Sequence, residues 1–183
     1  MQANIAIGLI ETSSIAKGIE TLDAMCKAAG VTPEMHQAIS KGKYLIVVSG
    51  PLGEVESSLA KGAETAGNAL IGRHIIRTVH AGVAAALNKK VKIENIEAVG
   101  IVETKEALPA LFAADAAAKA AAVHMVEVNT GKGIGGKGYF VVTGEPGAVR
   151  TAVSAGVKAI GEDAVIGRIV LPQAHAHIRE AIM

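Results

Sequence analysis

Aromatic side chains make up only 2% of the 183 residues, with no Trp, two Tyr and two Phe. Ala, Val, Ile and Gly must therefore fill the interior, and such small side chains let helices and sheets approach closely. Net charge is nearly absent: the formal value is +1, so no general attraction to nucleic acid or to an anionic membrane is expected. Long apolar runs are absent too, and without one of about 18 residues no membrane-spanning helix is indicated. The start, MQANIAIGLIET, has no basic segment leading into a long apolar stretch, so no secretory signal is expected. Cysteine occurs once, as Cys26, which excludes an intrachain disulfide and a metal site built from cysteines alone. A cytoplasmic location fits these absences. What the chain does have is apolar residues, 50% of the total, and a mean hydropathy of +0.39. That is high for a lone soluble chain and points to apolar surface covered by partners.

The chain repeats itself. Ala6 to Thr12 reads AIGLIET, and Ala98 to Thr104 reads AVGIVET. Asp23-Ala24 and Lys27-Ala28-Ala29 recur as Asp115-Ala116 and Lys119-Ala120-Ala121. GKYLIVVSGPLGEV (Gly42 to Val55) faces GKGYFVVTGEPGAV (Gly136 to Val149), and His80-Ala81 matches His175-Ala176. The displacement grows slowly from 92 to 95 positions, as small loop insertions would make it, while the order of segments is unchanged. Self-similarity over nearly the whole length means two tandem copies of one unit. The polar stretch Asn88 to Asn95 is the natural linker, giving a first domain at 1–90 and a second at 96–183.

Within one copy, Asn4 to Glu11 reads as a β-branched strand. Ser13 or Ser14 can cap a helix running to about Ala29, with Ile15, Ile19, Leu22, Met25 and Cys26 on its apolar face. Gly30 ends it. Val31 to Ile39 is a weaker strand interrupted by Pro33, and Tyr44 to Ser49 a continuous apolar one. Pro51 suits the start of a second helix from Glu54 to Gly67. Leu70 to Ile76 is a fourth strand, and His80 to Leu87 a short helix. The pattern βαββαβα is an α+β sandwich, related to ferredoxin-like folds, with helices on one side of the sheet. Each copy has about 90 residues, small for a free-standing core, so joining two and then oligomerising would bury the excess apolar surface.

AIGLIETSSIAKGIETLDAMCKAA, GKYLIVVSGPLGEV and the distal His80 resemble the bacterial microcompartment (BMC) domain. AVGIVET, LFAADAAAKAA, GIGGKGYFVVTGEPGAV and LPQAH resemble a second copy of it. The order of motifs and the GIGGK segment point to the tandem shell proteins of propanediol-utilisation compartments. The resemblance implies a homotrimer in which six BMC domains form a pseudohexameric tile. Such tiles pack edge to edge, with other shell proteins, around encapsulated enzymes. It also implies a central pore lined by the loop between the second and third strands. Here that loop is Ile39-Ser40-Lys41-Gly42, with Ile134-Gly135-Gly136 as its counterpart. Glycine permits tight turns at both, and Ser40, Lys43 and exposed N–H groups favour polar or anionic solutes.

Related proteins carry Cys-Pro-Gly-Lys at the first loop, and three such cysteines can hold an iron–sulfur cluster. Ser40 and Lys41 replace the Cys and Pro here, and a hydroxyl is a poor cluster ligand, so no such cofactor is expected. Cys26 reads as a buried, inert thiol. The resemblance puts Lys27 and Lys119 at contacts between tile edges, together with His80 and His175. The arginine usual two places before the distal histidine is replaced by Thr78 and Gln173, which alters that edge.

Three other chemistries lack a complete set of residues. GKGIGGKG (Gly131 to Gly138) lacks phosphate-loop spacing and precedes a strand, so nucleotide binding is not expected. His175-Ala176-His177 offers two metal ligands without a third. No nucleophile–base–orienter set exists, so an enzyme is not expected. A trimeric regulator that cradles a small anionic effector in its glycine loops is the alternative to a shell protein.

Overall fold

Two four-stranded antiparallel sheets carry the repeat, with strands in the order Thr32–Ile39, Lys43–Gly50, Ala6–Thr12, Leu70–Ile76 in one and His124–Asn129, Gly138–Gly144, Ala98–Thr104, Val165–Leu171 in the other. The computed structural model describes residues 5–94, 96–131 and 133–182. Asn4 of the first expected strand, Asn95 of the linker, Lys132 of the glycine loop and the end positions 1 and 183 lie outside them. In the first copy the elements are β1 (Ala6–Thr12), α1 (Ile15–Ala28), β2 (Thr32–Ile39), β3 (Lys43–Gly50), α2 (Leu52–Ala66) and β4 (Leu70–Ile76), with α3 (Ala81–Ala86) after them. The second copy gives β5 (Ala98–Thr104), α4 (Ala107–Ala120), β6 (His124–Asn129), β7 (Gly138–Gly144), α5 (Pro146–Ile160), β8 (Val165–Leu171) and α6 (Ala176–Ile182).

Contacts divide the chain into Met1–Val79 and His80–Met183. The sequence boundary at residue 90 groups α3 with the first copy. In the structure α3 packs on β6 and α4 of the second unit. Hydrogen bonds fix it there. The His80 backbone N–H donates to Asp115 Oδ1 at 2.8 Å, and the Asn88 and Val91 N–H groups donate to Val128 and Val126 carbonyls at 2.7 Å. The polar stretch read as a linker is thus partly tied to β6.

In the first unit β1 alternates. Ala6 and Ile10 join Met25, Tyr44, Ile46, Val48, Val55 and Leu59 in a core under the helices. Gly8 lies on the same face because a Cβ there would come within 2.8 Å of Val55 Cγ1. The opposite face carries Ile7, Leu9 and Glu11, all buried. In the second unit Gly100 does the same work: an added Cβ would lie 2.7 Å from Val153 Cγ2.

Helix α1 starts where Ser14 accepts a hydrogen bond from Lys17 N. Its buried residues are Gly18, Thr21 and Met25, with Leu22 partly buried. This corrects the sequence reading. Ile15, Ile19 and Cys26 face outward. The inward face is closely packed: the ring of Tyr44 on β3 occupies the space beside Gly18 and would sit 2.6 Å from a Cβ placed there. The helix meets the sheet closely through Gly18, while Met25 and Leu22 fill the core beyond it.

Candidate functional site

The loop between β2 and β3 is a single 3-10 turn, Ser40–Gly42. Lys41 has φ 66°, ψ 25° and Gly42 has φ 73°. A left-handed lysine costs on the order of 1 kcal/mol, so its place there is fixed by the hairpin around it. Ile39, paired with Lys43 across the hairpin, is buried. The loop therefore presents Lys41 and Gly42 outward, with Ser40 half-buried and Ile39 beneath. The counterpart in the second unit is longer. Gly131, Gly133, Gly135 and Gly136 all have positive φ, between 74° and 95°. Gly135 is exposed, Ile134 half-buried and Gly136 buried. Asn88 Oδ1 anchors the loop base by accepting from Thr130 N at 2.9 Å and Thr130 Oγ1 at 3.0 Å.

Each loop is followed by a lysine that turns back into its own unit. Lys43 Nζ lies 3.0 Å from Glu11 Oε1, with side chains 14% and 1% exposed. Lys137 Nζ lies 3.0 Å from Glu103 Oε1, at 47% and 40% exposure. The matched Glu11 and Glu103 thus anchor the loops. Lys43 commits its charge to Glu11, which leaves Lys41 as the ammonium the first loop presents outward. Sequence spacing alone did not reveal this pairing. The signal was the joint recurrence of Glu and Lys in both copies.

The four residues read as edge contacts form two related sets. Lys119 pairs with the buried Asp115, whose carboxylate also accepts from His80 N. His80 caps α3 through Nδ1, which accepts from Gly82 N at 3.1 Å. In the first unit Lys27 pairs with Asp23 at 2.6 Å in an exposed ion pair. His175 Nδ1 accepts from His177 N at 3.3 Å at the start of α6. The structure brings Lys119, Asp115 and His80 together. Lys27 and His175 are each exposed.

Cys26 is exposed, which overturns the expectation of a buried thiol. Partial desolvation and the neighbouring Asp23 carboxylate push its pKa up, so the thiol stays protonated and weakly nucleophilic. Among the described residues no group of three or more His, Cys, Asp or Glu is arranged to hold a metal ion, and no helix is long and apolar enough to cross a membrane.

The BMC domain matches twice, over residues 6–79 and 98–174. The chain belongs to the BMC-domain family. A BMC relative from Citrobacter freundii, the bacterial microcompartment shell protein PduT, is 39% identical over 93% of both chains. The carboxysome shell protein CsoS1C of Halothiobacillus neapolitanus is 39% identical over 46% of this chain and 90% of its own, as a single unit would be. A microcompartment protein from Desulfitobacterium hafniense superimposes with a TM-score of 0.89 at 36% identity, covering 97% of this chain and 99% of that one. A fused permuted hexameric shell protein shares the fold at 22% identity and a TM-score of 0.67. With two BMC domains and relatives of this kind, the chain is a structural shell protein of a bacterial microcompartment, in a family whose members are non-catalytic.

Proposed function

We propose that three copies of the chain close into a ring of six BMC units, a pseudohexameric tile whose glycine loops surround a pore for small polar metabolites. The observation that carries this reading is the contrast between α4 and α1. In the second unit α3 packs on α4, and the Asp115–Lys119 pair receives the His80 N–H. In the first unit the matching positions Ile15, Ile19 and Cys26 are exposed, as is the Asp23–Lys27 pair. The helix that matches α3 is α6, and its Ile178, the counterpart of Val83, is exposed at 41% while Val83 is buried. Helix α6 is held to its own unit by Ile182, packed on the core of Val99 and Val126, and by Lys90 Nζ, which donates to the Ala181 carbonyl at 3.0 Å, and its Ile178 side is left open. That open side and the open stripe of α1 fit together when α6 of one chain covers α1 of the next. Asp23 would then accept the His175 N–H as Asp115 accepts that of His80. Such a head-to-tail contact closes into a ring when its rotation permits.

Ser40, Lys41 and Gly42 from one unit would alternate with Ile134 and Gly135 from the other around the pore, above the buried Ile39 and Gly136. The Ser40 hydroxyl, the Lys41 ammonium and open backbone N–H groups suit anionic or polar solutes. The donor set does not fit an iron–sulfur cluster, because Ser40 offers a hydroxyl and Cys26 lies on α1 instead of in the loop. In this reading the tile joins other shell proteins in the cytoplasm around enzymes of the propanediol-utilisation kind. The likeness to PduT and the GIGGK loop support that assignment.

The test is mass in solution together with electron microscopy of the purified chain. A trimer visible as hexagonal discs is expected, and Ile19→Glu should yield a folded monomer. A monomeric wild type, or a trimer indifferent to Ile19→Glu, overturns the reading.

A further inference from the structure

Helices α2 and α5 are the same element in the two units, each 15 residues long, and the net charges of their outward faces are opposite in sign. On α2 the exposed column is Glu56, Ala60 and Glu64, beside which the exposed Lys61 lies 3.1 Å from Glu64, so the face keeps a net negative charge through Glu54 and Glu56. On α5 the matching column is Arg150, Ser154 and Lys158. Steps of four keep each set on one side of its helix. Neither column is needed for folding, since the core is formed by Val55, Leu59 and Gly62 on α2 and by Val149, Val153 and Gly156 on α5. Two copies of one ancestral helix have kept their inward face and reversed their outward charge at both ends of the column.

Beside α5 runs a groove of about 650 Å³ between that helix and β8. Arg150, Lys158 and Arg168 line it with one carboxylate, Glu162, which Arg168 holds at 2.6 Å. The groove is therefore net positive. Its floor is apolar, from Val153, Val157 and Ile169. The surface that complements it in charge is the α2 column, whose centre, Ala60, is small enough for close approach of a helix.

We infer that α2 of one copy docks against α5 of a second copy, antiparallel across a local twofold, with Glu56 meeting Lys158 and Glu64 meeting Arg150. Ala60 and Ser154 lie at the centre, where their small size lets the helices touch. A twofold operation that exchanges α2 with α5 turns charge reversal at matched positions into complementarity. A head-to-tail ring contact has no such requirement. This pairing thus goes beyond the ring and joins one assembly to another. Each ion pair is exposed and weak, so the contact depends on ionic strength and on being repeated.

The experiment uses two full-length variants, Glu56→Lys/Glu64→Lys and Arg150→Glu/Lys158→Glu, studied by light scattering and sedimentation at low and high salt. Wild type should associate above the trimer at low salt, and at least tenfold less at high salt. Each variant alone should lose that association while its trimer and its melting curve stay unchanged. An equal mixture of the two should regain it, because α2 of one then faces α5 of the other with opposite charge. Wild-type association in either variant alone, or a mixture that fails to associate, overturns the proposal. So does loss of the trimer itself, which would put the columns inside the ring. Failure of the ring reading shows instead as a wild type without a trimer, whatever the salt.

Discussion

Helices α1 and α4 begin at the same point of the two units, carry the same Asp-Ala-x-x-Lys signature and share an inward face, Gly18, Thr21 and Met25 against Ala110, Ala113 and Ala117, yet α4 buries a second face as well. In α4 nine of fourteen residues are buried, including Ala107, Leu111, Ala114 and Ala118. The matching Ile15, Ile19 and Cys26 of α1 are exposed. The difference lies in the short helix beyond β4: α3 packs on α4, whereas in the described first unit α2 and the sheet pack on α1 but leave its Ile15, Ile19 and Cys26 stripe exposed. A sequence can therefore hold two nearly equal helices whose apolar stripes answer to different partners. The sharpest way to break the comparison is a carboxylate on each stripe. Leu111→Asp buries an unpaired charge in a fully buried position and should cost on the order of 5 kcal/mol, enough to unfold the second unit. Ile19→Asp, at a residue 53% exposed, should change the stability of the isolated chain by under about 0.5 kcal/mol. Denaturant unfolding of both variants under monomeric conditions reads the gap directly. Equal losses would mean that α1 is covered within the chain after all.

A second pair of matched contacts differs in burial instead of in partner. Glu11–Lys43 is nearly enclosed, and Glu103–Lys137 is half in solvent. Removing one member of an enclosed pair strands the other charge. Lys43→Ala should therefore destabilise by about 3 kcal/mol, and Lys137→Ala by less than about 1 kcal/mol. Replacing both Glu11 and Lys43 by apolar residues of similar size should restore most of the loss, because the penalty comes from the orphaned carboxylate more than from the missing attraction. Double-mutant cycles on the two pairs give the comparison its numbers.

Most of the architecture was legible because the code for it is local. Alternation in AIGLIET, the cap at Ser14 and the turn at Gly50-Pro51 each act within a few residues. The four strands per copy and the two long helices arise from them. The inward face of α1 was legible at Leu22 and Met25 but not at Gly18, where it depends on Tyr44, which is distant in sequence and takes the place a larger residue at position 18 would need. The second unit inverts the same contact. Ala110 stands for Gly18 and Gly138 for Tyr44, and a Cβ on Gly138 would come within 2.5 Å of Ala110. Each change compensates the other across the helix–sheet seam, and only the packed pair makes sense of either residue. The loops were found through the repeat. The turn of Lys43 away from its loop needed the buried Glu11 opposite it.

The smallest expected difference lies at the starts of α2 and α5. Pro51 gives α2 no side-chain cap. At the matching place Glu145 accepts from Gly147 N at 2.9 Å and Ala148 N at 3.1 Å. These backbone N–H groups, Gly147 first, hold the Glu145 carboxyl below its ordinary value of 4.5. Because the folded value is the lower one, the cap contributes fully above the ordinary carboxylate range and is lost as pH falls through it. Glu145→Ala should therefore lower the melting temperature of the second unit near neutral pH. The gap to wild type should narrow as pH drops from about 5 to about 3, where the wild-type carboxylate is progressively protonated. Pro51→Ala offers the control in the first unit: it removes no side-chain acceptor, so any change it makes should be independent of pH. Melting curves over that range decide it. A Glu145→Ala gap that stays constant or widens toward acid would mean that the carboxylate charge adds nothing to the start of α5.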